Sequence, residues 1–342
     1  MNYKVAVAGL KMGNSWAQAA LELPNAELVM VYDPNFDKLH EITRKRYTVD
    51  NPSVRVAEKE EELYESNADI IVVASPDHFH ADQCVKALRA SKHVACEKPL
   101  APTLEECRKI IAAVKETGKR FMTGQVCRYA PGFRTAKTLV EQGRIGDLVY
   151  IESEYAHDYH RSPGFNNWRK DPAIKRQGFL GGGCHALDLT RFIAGDPLEV
   201  SCFMNHKFMP DWPCPDTGVA IAKFPNDVIG RVFVSIGVQR PYTMRTCIYG
   251  TAGTIICDNT SPEIQISESC LYTATGKPEF NKIPVAIANH NVTSELKEFM
   301  EYLDKGENCP TDVYQGSRTV AFAQAAIESA ATGKIVTPDY DL

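Results

Sequence analysis

Basic residues are in short supply in this 342-residue chain: 38 lysines and arginines face 43 aspartates and glutamates, for a net charge of −5. That balance excludes the positive footprint of a nucleic-acid binder. No apolar run approaches the roughly 18 residues that a membrane-spanning helix needs, so no membrane partner is expected. Met1-Asn2-Tyr3-Lys4 leads straight into a strand-like run and lacks the pattern of a signal peptide. Cysteines at metal or redox spacing are missing too. The 11 cysteines are odd in number and scattered, which points to reduced thiols in a cytoplasmic protein rather than a disulfide framework. Internal repeats and low-complexity segments are absent. What remains is 44% hydrophobic and 24% charged, an ordinary globular composition long enough for two domains.

The first third alternates short apolar runs with helical stretches. Residues 4–9, 28–33, 70–75, 93–96 and 121–124 read as strands, with helices at 15–23, 78–90 and 103–117. Strands separated by 10–15-residue helices imply βαβ units and a parallel, doubly wound sheet. The expected domains are 1–124 and 125–342.

A dinucleotide would sit at the first turn of such a sheet. The turn here, Gly9-Leu10-Lys11-Met12-Gly13-Asn14, departs from G-x-G-x-x-G at two of three glycines. Gly9 can still make the tight turn, and Gly13 can let backbone approach a pyrophosphate at the helix N-terminus. Asp33 follows Gly13 by 20 residues at the tip of the second strand. A carboxylate there accepts ribose hydroxyls and repels a 2′-phosphate, favouring NAD over NADP. An aspartate in Asp33-Pro34-Asn35 can equally cap a turn.

Glu97-Lys98-Pro99 closes the apolar run His93-Val94-Ala95-Cys96, setting a lysine at the carboxyl end of a strand, where such sheets open their ligand crevice. Four further motifs follow the same order as in one known family. Ser75-Pro76-Asp77-His78-Phe79-His80 resembles Thr-Pro-Asn-x-x-His; Glu97-Lys98-Pro99-Leu100 matches a Glu-Lys-Pro signature. Gln125 to Asp147, with Arg128-Tyr129 and Gly143-Arg144-Ile145-Gly146, resembles the segment leaving the nucleotide domain. Trp168-Arg169 matches a pair that approaches the cofactor, and Gly183-Cys184-His185-Ala186-Leu187-Asp188 the end of Asp-x-Gly-x-His-x-x-Asp. The chain thereby resembles the Gfo/Idh/MocA oxidoreductases over essentially its whole length.

The resemblance implies an N-terminal Rossmann domain, a C-terminal α+β domain with a large, mostly antiparallel sheet, a homodimer or homotetramer, and a cis bond before Pro99. It implies an NAD site at Gly9, Leu10, Lys11, Met12, Gly13, Asp33, Ser75, Pro76, Asp77, His80, Glu97, Lys98, Gln125, Trp168 and Arg169. The substrate, a sugar, glycoside or cyclitol, would meet Lys98, Arg128, Tyr155, Asp158, Tyr159 and His185. One position departs: the family's first aspartate of the last motif falls on Gly181.

Oxidising a secondary alcohol requires loss of the hydroxyl proton as well as hydride. Histidine titrates near neutrality, so His185 is the expected base, and Lys98 would stabilise alkoxide character on the reacting oxygen. Asp188, three residues on, would share the helix face with His185 and either orient it or serve packing. Two alternatives stay open: a glycosidase using bound NAD in an internal redox cycle, and a non-catalytic nucleotide-sensing regulator. His157 and His160, with Cys184, invite a metal reading. Three-residue spacing on a strand end turns those histidines to opposite faces, and no metal is expected. Cys96 and Cys184 read as small packing residues.

Beyond residue 125 the alternation turns strand-like at 148–155, 198–208, 217–224, 228–238, 244–250 and 253–258, with helices at 132–142, 184–194, 293–305 and 314–331. Substrate selection would fall to loops 157–180 and 275–292.

Overall fold

A computed structural model describes residues 1–174, 176–268, 277–288 and 290–342. Parts of the two expected substrate loops, residues 175, 275, 276 and 289, therefore lie outside the described residues. By their internal contacts the described residues divide into two compact units.

The first unit carries six parallel strands: β1 (Tyr3–Ala8), β2 (Ala26–Tyr32), β3 (Arg55–Val56), β4 (Ile70–Val73), β5 (His93–Cys96) and β6 (Phe121–Thr123). Their order is β3-β2-β1-β4-β5-β6. All four side chains of Ile70–Val73 are buried, as they must be in a strand covered by helices on both faces. The Leu104–Thr117 helix shows how sequence sets such boundaries. Thr103 and Glu106 exchange side-chain and backbone bonds in a capping box, and Gly118 ends the helix at φ 66°. Chain order reverses between β1 and β4. Sheets of this kind bind ligands at that switch point, outside the strands' carboxyl ends.

The second unit is built on eight strands: β7 (Leu148–Ala156), β8 (Glu199–Asn205), β9 (Thr217–Lys223), β10 (Ile229–Ser235), β11 (Thr243–Gly250), β12 (Gly253–Asp258), β13 (Glu263–Glu268) and β14 (Asn281–Pro284). They are ordered β14-β13-β12-β11-β7-β10-β9-β8. Every pairing is antiparallel except β7 with β10. The Cys184–Ala194 helix packs on β7 and β10, and the Pro131–Glu141 helix on β12. Side chains alternate accordingly: Ile151, Val232 and Ala220 are buried, whereas Phe203, Ile221 and Ile229 are more than half exposed.

Chain connectivity departs from the two consecutive domains drawn from the sequence. The stretch Val292–Ser317 belongs to the first unit, where the Val292–Lys305 helix packs on the Gly13–Glu22 helix. An apolar stripe such as Val292, Leu296, Phe299 and Met300 dictates that a helix will be buried, not which core receives it.

Candidate active site

The nucleotide end of the first unit starts at Gly9, whose φ of 85° and whose close packing on the Ala74 carbonyl leave no room for a Cβ. Lys11 and Met12 are exposed at the tip of this loop, and Gly13 is buried beneath it. The Leu10 amide donates to Asp33 Oδ2 at 2.8 Å, and the Asn35 amide donates to Oδ1 at 2.8 Å. Asp33 thus holds the loop beside the second strand and caps its own turn at once. Asn14, a departure from the glycine pattern, accepts from the Arg46 guanidinium at 2.8 Å and the Tyr47 hydroxyl at 2.7 Å.

Two further loops meet at the ends of β4 and β5. The bond between Lys98 and Pro99 is cis. His80, only 1% exposed, spans the two loops: its Nδ1 lies 2.9 Å from the Pro99 carbonyl oxygen and its Nε2 2.9 Å from that of Ser75. Both ring nitrogens face backbone oxygens, so His80 ties the two loops together. Glu97 is buried, accepting from Trp16 Nε1 at 2.9 Å on one oxygen and from the Lys98 amide at 3.1 Å on the other. Ser75 donates to Gln83 Oε1 at 2.6 Å, beside Pro76. Asp77 and Gln125 are buried, and Gln125 Nε2 donates to the Gln315 carbonyl at 3.3 Å. Lys98 itself is half-buried.

In the second unit His185 opens the Cys184–Ala194 helix and is 3% exposed. Its ring stacks on Tyr155 at 6.0 Å between centroids and meets His290 edge-on at 5.7 Å. Its Nδ1 lies 3.2 Å from Cys127 Sγ. The Tyr155 hydroxyl is 2.8 Å from that of Tyr159 and 3.1 Å from His157 Nδ1, and Tyr242 packs against both Tyr155 and His157. Burial, with the neighbouring tyrosines second, pushes the Tyr155 phenol well above its usual range; the Tyr242 phenol is raised chiefly by burial. Both therefore stay neutral donors through the physiological range. His157 turns into this cluster, while His160 faces outward and pairs with Asp158 Oδ1 at 2.6 Å.

Asp188 and Arg128 pair with each other. Arg128 Nε and Nη2 donate to the two Asp188 oxygens at 2.8 and 2.7 Å, with both side chains buried. Arg191 and Thr319 add bonds to Oδ1. Burial works against the Arg128 charge, and the Asp188 carboxylate outweighs it, so the guanidinium is held above its ordinary range. Asp188, for which the sequence left orienting His185 or packing open, is thus bonded to Arg128, the arginine expected on substrate. The physical reason is guanidinium geometry: a planar fork matches both carboxylate oxygens, and burying either charge alone is prohibitive.

Arg176, 7% exposed, fills the space that a side chain at Gly181 would need. Its guanidinium lies over Trp168, 5.2 Å from the ring, and Arg169 sits 5.3 Å from the same ring and 5.1 Å from Tyr159. A cation holds the position where the resemblance leads one to look for an aspartate. Sequence reasoning did not find Cys127, Arg176, Tyr242 or His290. Each lies far along the chain from His185 or in a segment without a motif, and only the folded sheet collects them.

Residues 3–125 match the oxidoreductase family with an NAD-binding Rossmann fold, and residues 133–256 match the Gfo/Idh/MocA C-terminal domain. The chain belongs to the Gfo/Idh/MocA family. Its first domain is an NAD-binding Rossmann fold of the oxidoreductase family. An uncharacterized oxidoreductase of Schizosaccharomyces pombe is 29% identical over 58% of this chain and 55% of that protein, so the chain spans about half that relative's length. A scyllo-inositol 2-dehydrogenase (NAD(+)) of Bacillus subtilis is 26% identical over 75% of this chain and 74% of its own. Among solved structures, levoglucosan dehydrogenase in complex with NADH and levoglucosan superposes with a TM-score of 0.90, at 21% identity, over 99% of this chain and 100% of that one. At that identity the likeness speaks for the fold. Among the described residues, no helix is long and apolar enough to cross a membrane.

Proposed function

We propose that the protein reversibly oxidises a ring hydroxyl of a sugar, glycoside or cyclitol to a ketone with NAD. The observation that carries this reading is an almost fully buried imidazole, His185, stacked on Tyr155 within a cluster of tyrosines. Aromatic faces suit the C–H surface of a ring polyol, and phenolic hydroxyls suit its oxygens. Family relatives bearing the names levoglucosan dehydrogenase and scyllo-inositol 2-dehydrogenase support the same substrate class.

The first unit suits the dinucleotide: a glycine turn with positive φ at the switch point, running into a helix N-terminus, with Asp33 fixed at the tip of β2. When bound, NAD supplies the hydride acceptor. Asp33 disfavours a 2′-phosphate by charge, so NAD is taken over NADP. In the reaction His185 removes the hydroxyl proton, and Lys98 donates to the same oxygen as its charge grows. His80 and Glu97 hold the Lys98 loop, and Trp168 with Arg169 borders the cofactor. Tyr159 and Asp158 contact the substrate beside Tyr155. The exposed Phe203, Ile221 and Ile229 on the sheet support assembly into a dimer or tetramer, and free buried cysteines suit a reducing cytoplasm.

A panel of inositols, anhydrosugars and aryl glycosides, assayed with NAD and NADP, tests the reading. Net NADH accumulation with NAD is the expected result. Product formation without NADH would instead indicate an internal redox cycle, and no turnover by a protein that binds NAD would indicate a sensor. Lys98→Ala and His185→Asn should lower kcat at least about a hundredfold while leaving NADH binding, read by fluorescence, within twofold. Undiminished turnover in either variant would remove the mechanism. Asp33→Ala should narrow the preference for NAD by about tenfold, the equivalent of ~1.4 kcal/mol.

A further inference from the structure

In a base that works through one ring nitrogen, something must hold the proton on the other. Asp188, the nearest carboxylate along the helix, is committed to Arg128. Facing His185 Nδ1 at 3.2 Å is the thiol of Cys127, itself 2% exposed. The same sulfur lies 3.4 Å from Met244 Sδ on β11.

A thioether has no proton and can only accept, so between these two sulfurs the thiol is the donor. With its proton on Met244, the Cys127 sulfur offers lone pairs to His185, a chain from Nδ1–H to Sγ–H to Sδ that keeps the neutral imidazole as the Nδ1–H tautomer.

We infer that Cys127 is the positioning residue of His185: it receives the Nδ1 proton, so that Nε2 presents the lone pair that takes the substrate's hydroxyl proton. The inference rests on His185 being the base of the proposed reaction. During oxidation the proton passes from the alcohol oxygen to Nε2, as the C–H hydride leaves for NAD and the C=O bond forms. Nothing is gained or lost at sulfur. The backbone reinforces the arrangement. Cys127 and Arg128 are consecutive in the Val126–Tyr129 turn, and they grip His185 and Asp188, one turn apart on a single helix. The buried Arg128–Asp188 fork thereby fixes the distance between thiol and imidazole.

A thiol in this role has a chemical consequence. Being neutral, it does not stabilise the imidazolium as a carboxylate would, so the base returns its proton readily and serves both directions. Around the ring stand Tyr155 on β7, Cys127 on its turn and His290, with Met244 on β11 beyond the thiol.

Nitrogen NMR of histidine-labelled protein, free of ligand, tests this directly, with the His185 signals assigned by their loss in His185→Asn. The expected spectrum shows one tautomer, protonated at Nδ1. In Cys127→Ala the signals should move to a mixture, and in Cys127→Ser, whose hydroxyl also donates and accepts, they should stay near the wild-type pattern. With myo-inositol or levoglucosan, whichever is turned over, Cys127→Ala should lower kcat roughly tenfold or more with KM within twofold, and Cys127→Ser should recover most of it. A wild-type His185 protonated only at Nε2, or a Cys127→Ala protein with unaltered tautomer, would overturn the inference. Should neither polyol be oxidised, the NMR result still decides the role of Cys127, and only the proposed reaction falls.

Discussion

The guanidinium of Arg176 occupies the volume that any side chain on residue 181 would require. Gly181 is therefore needed for its lack of a Cβ, four residues before His185. Gly181→Ala must push the guanidinium off Trp168, losing their 5.2 Å contact, and should cost about 1 kcal/mol or somewhat more. Arg176→Ala in the same chain removes the obstacle. Urea unfolding of the two single variants and the double variant should give a coupling of about 1 kcal/mol; additive losses would show that the two positions do not compete for space.

Replacing one partner of the Arg128–Asp188 pair leaves the other charge buried alone. Asp188→Asn is expected to destabilise the second unit by about 3–5 kcal/mol, read as a lower denaturation midpoint. Arg128→Met with Asp188→Leu should recover most of that loss, because no buried charge then remains. A collapse of kcat at unchanged stability in Asp188→Asn would instead mark Asp188 as an orienting partner of the base.

His93 provides an acid-sensitive element in the first unit. Burial first, and Lys119 next, push its imidazole down to about 4, and its Nδ1 accepts the Arg120 amide at 3.0 Å. The unfolded chain takes up a proton near pH 6.5, and the folded one does not until about 4. Between those values the unfolded state binds more protons, so stability is full above 6.5 and falls as the pH drops through the window. In His93→Asn, which keeps an acceptor for Arg120, the fall in melting temperature from pH 6.5 to 4 should be smaller than in the wild type. An identical fall would assign the acid sensitivity to other groups.

Much of this was written in local sequence. Runs such as Ile70–Val73 are apolar on both faces and can only be inner parallel strands, and the Cys184–Ala194 helix announced itself through a motif that placed His185 at its start. Strands β13 and β14 did not. Glu263–Glu268 alternates Ile264 and Ile266 with polar residues over only six positions, a weak signal, and Asn281–Pro284 is largely exposed and short of apolar residues. The place of Asp188 on the helix, three residues beyond His185, was legible by spacing alone; its pairing with Arg128, 60 residues back along the chain, was not, because ion pairing depends on which surfaces meet. Cys127 lacked any signal. A thiol two residues past a domain border acquires meaning only when the Cys184–Ala194 helix and β11 bring an imidazole and a thioether to it.

The return of Val292–Ser317 to the first unit bears on biosynthesis. A ribosome delivering this protein from its amino end releases all six strands of the nucleotide sheet long before the helix that covers Gly13–Glu22 exists. Until some 290 residues have emerged, that surface stays bare, and a product terminated at residue 125 would never acquire its cover. Completion of the earliest-made half waits on a stretch made only after every strand of the eight-stranded sheet.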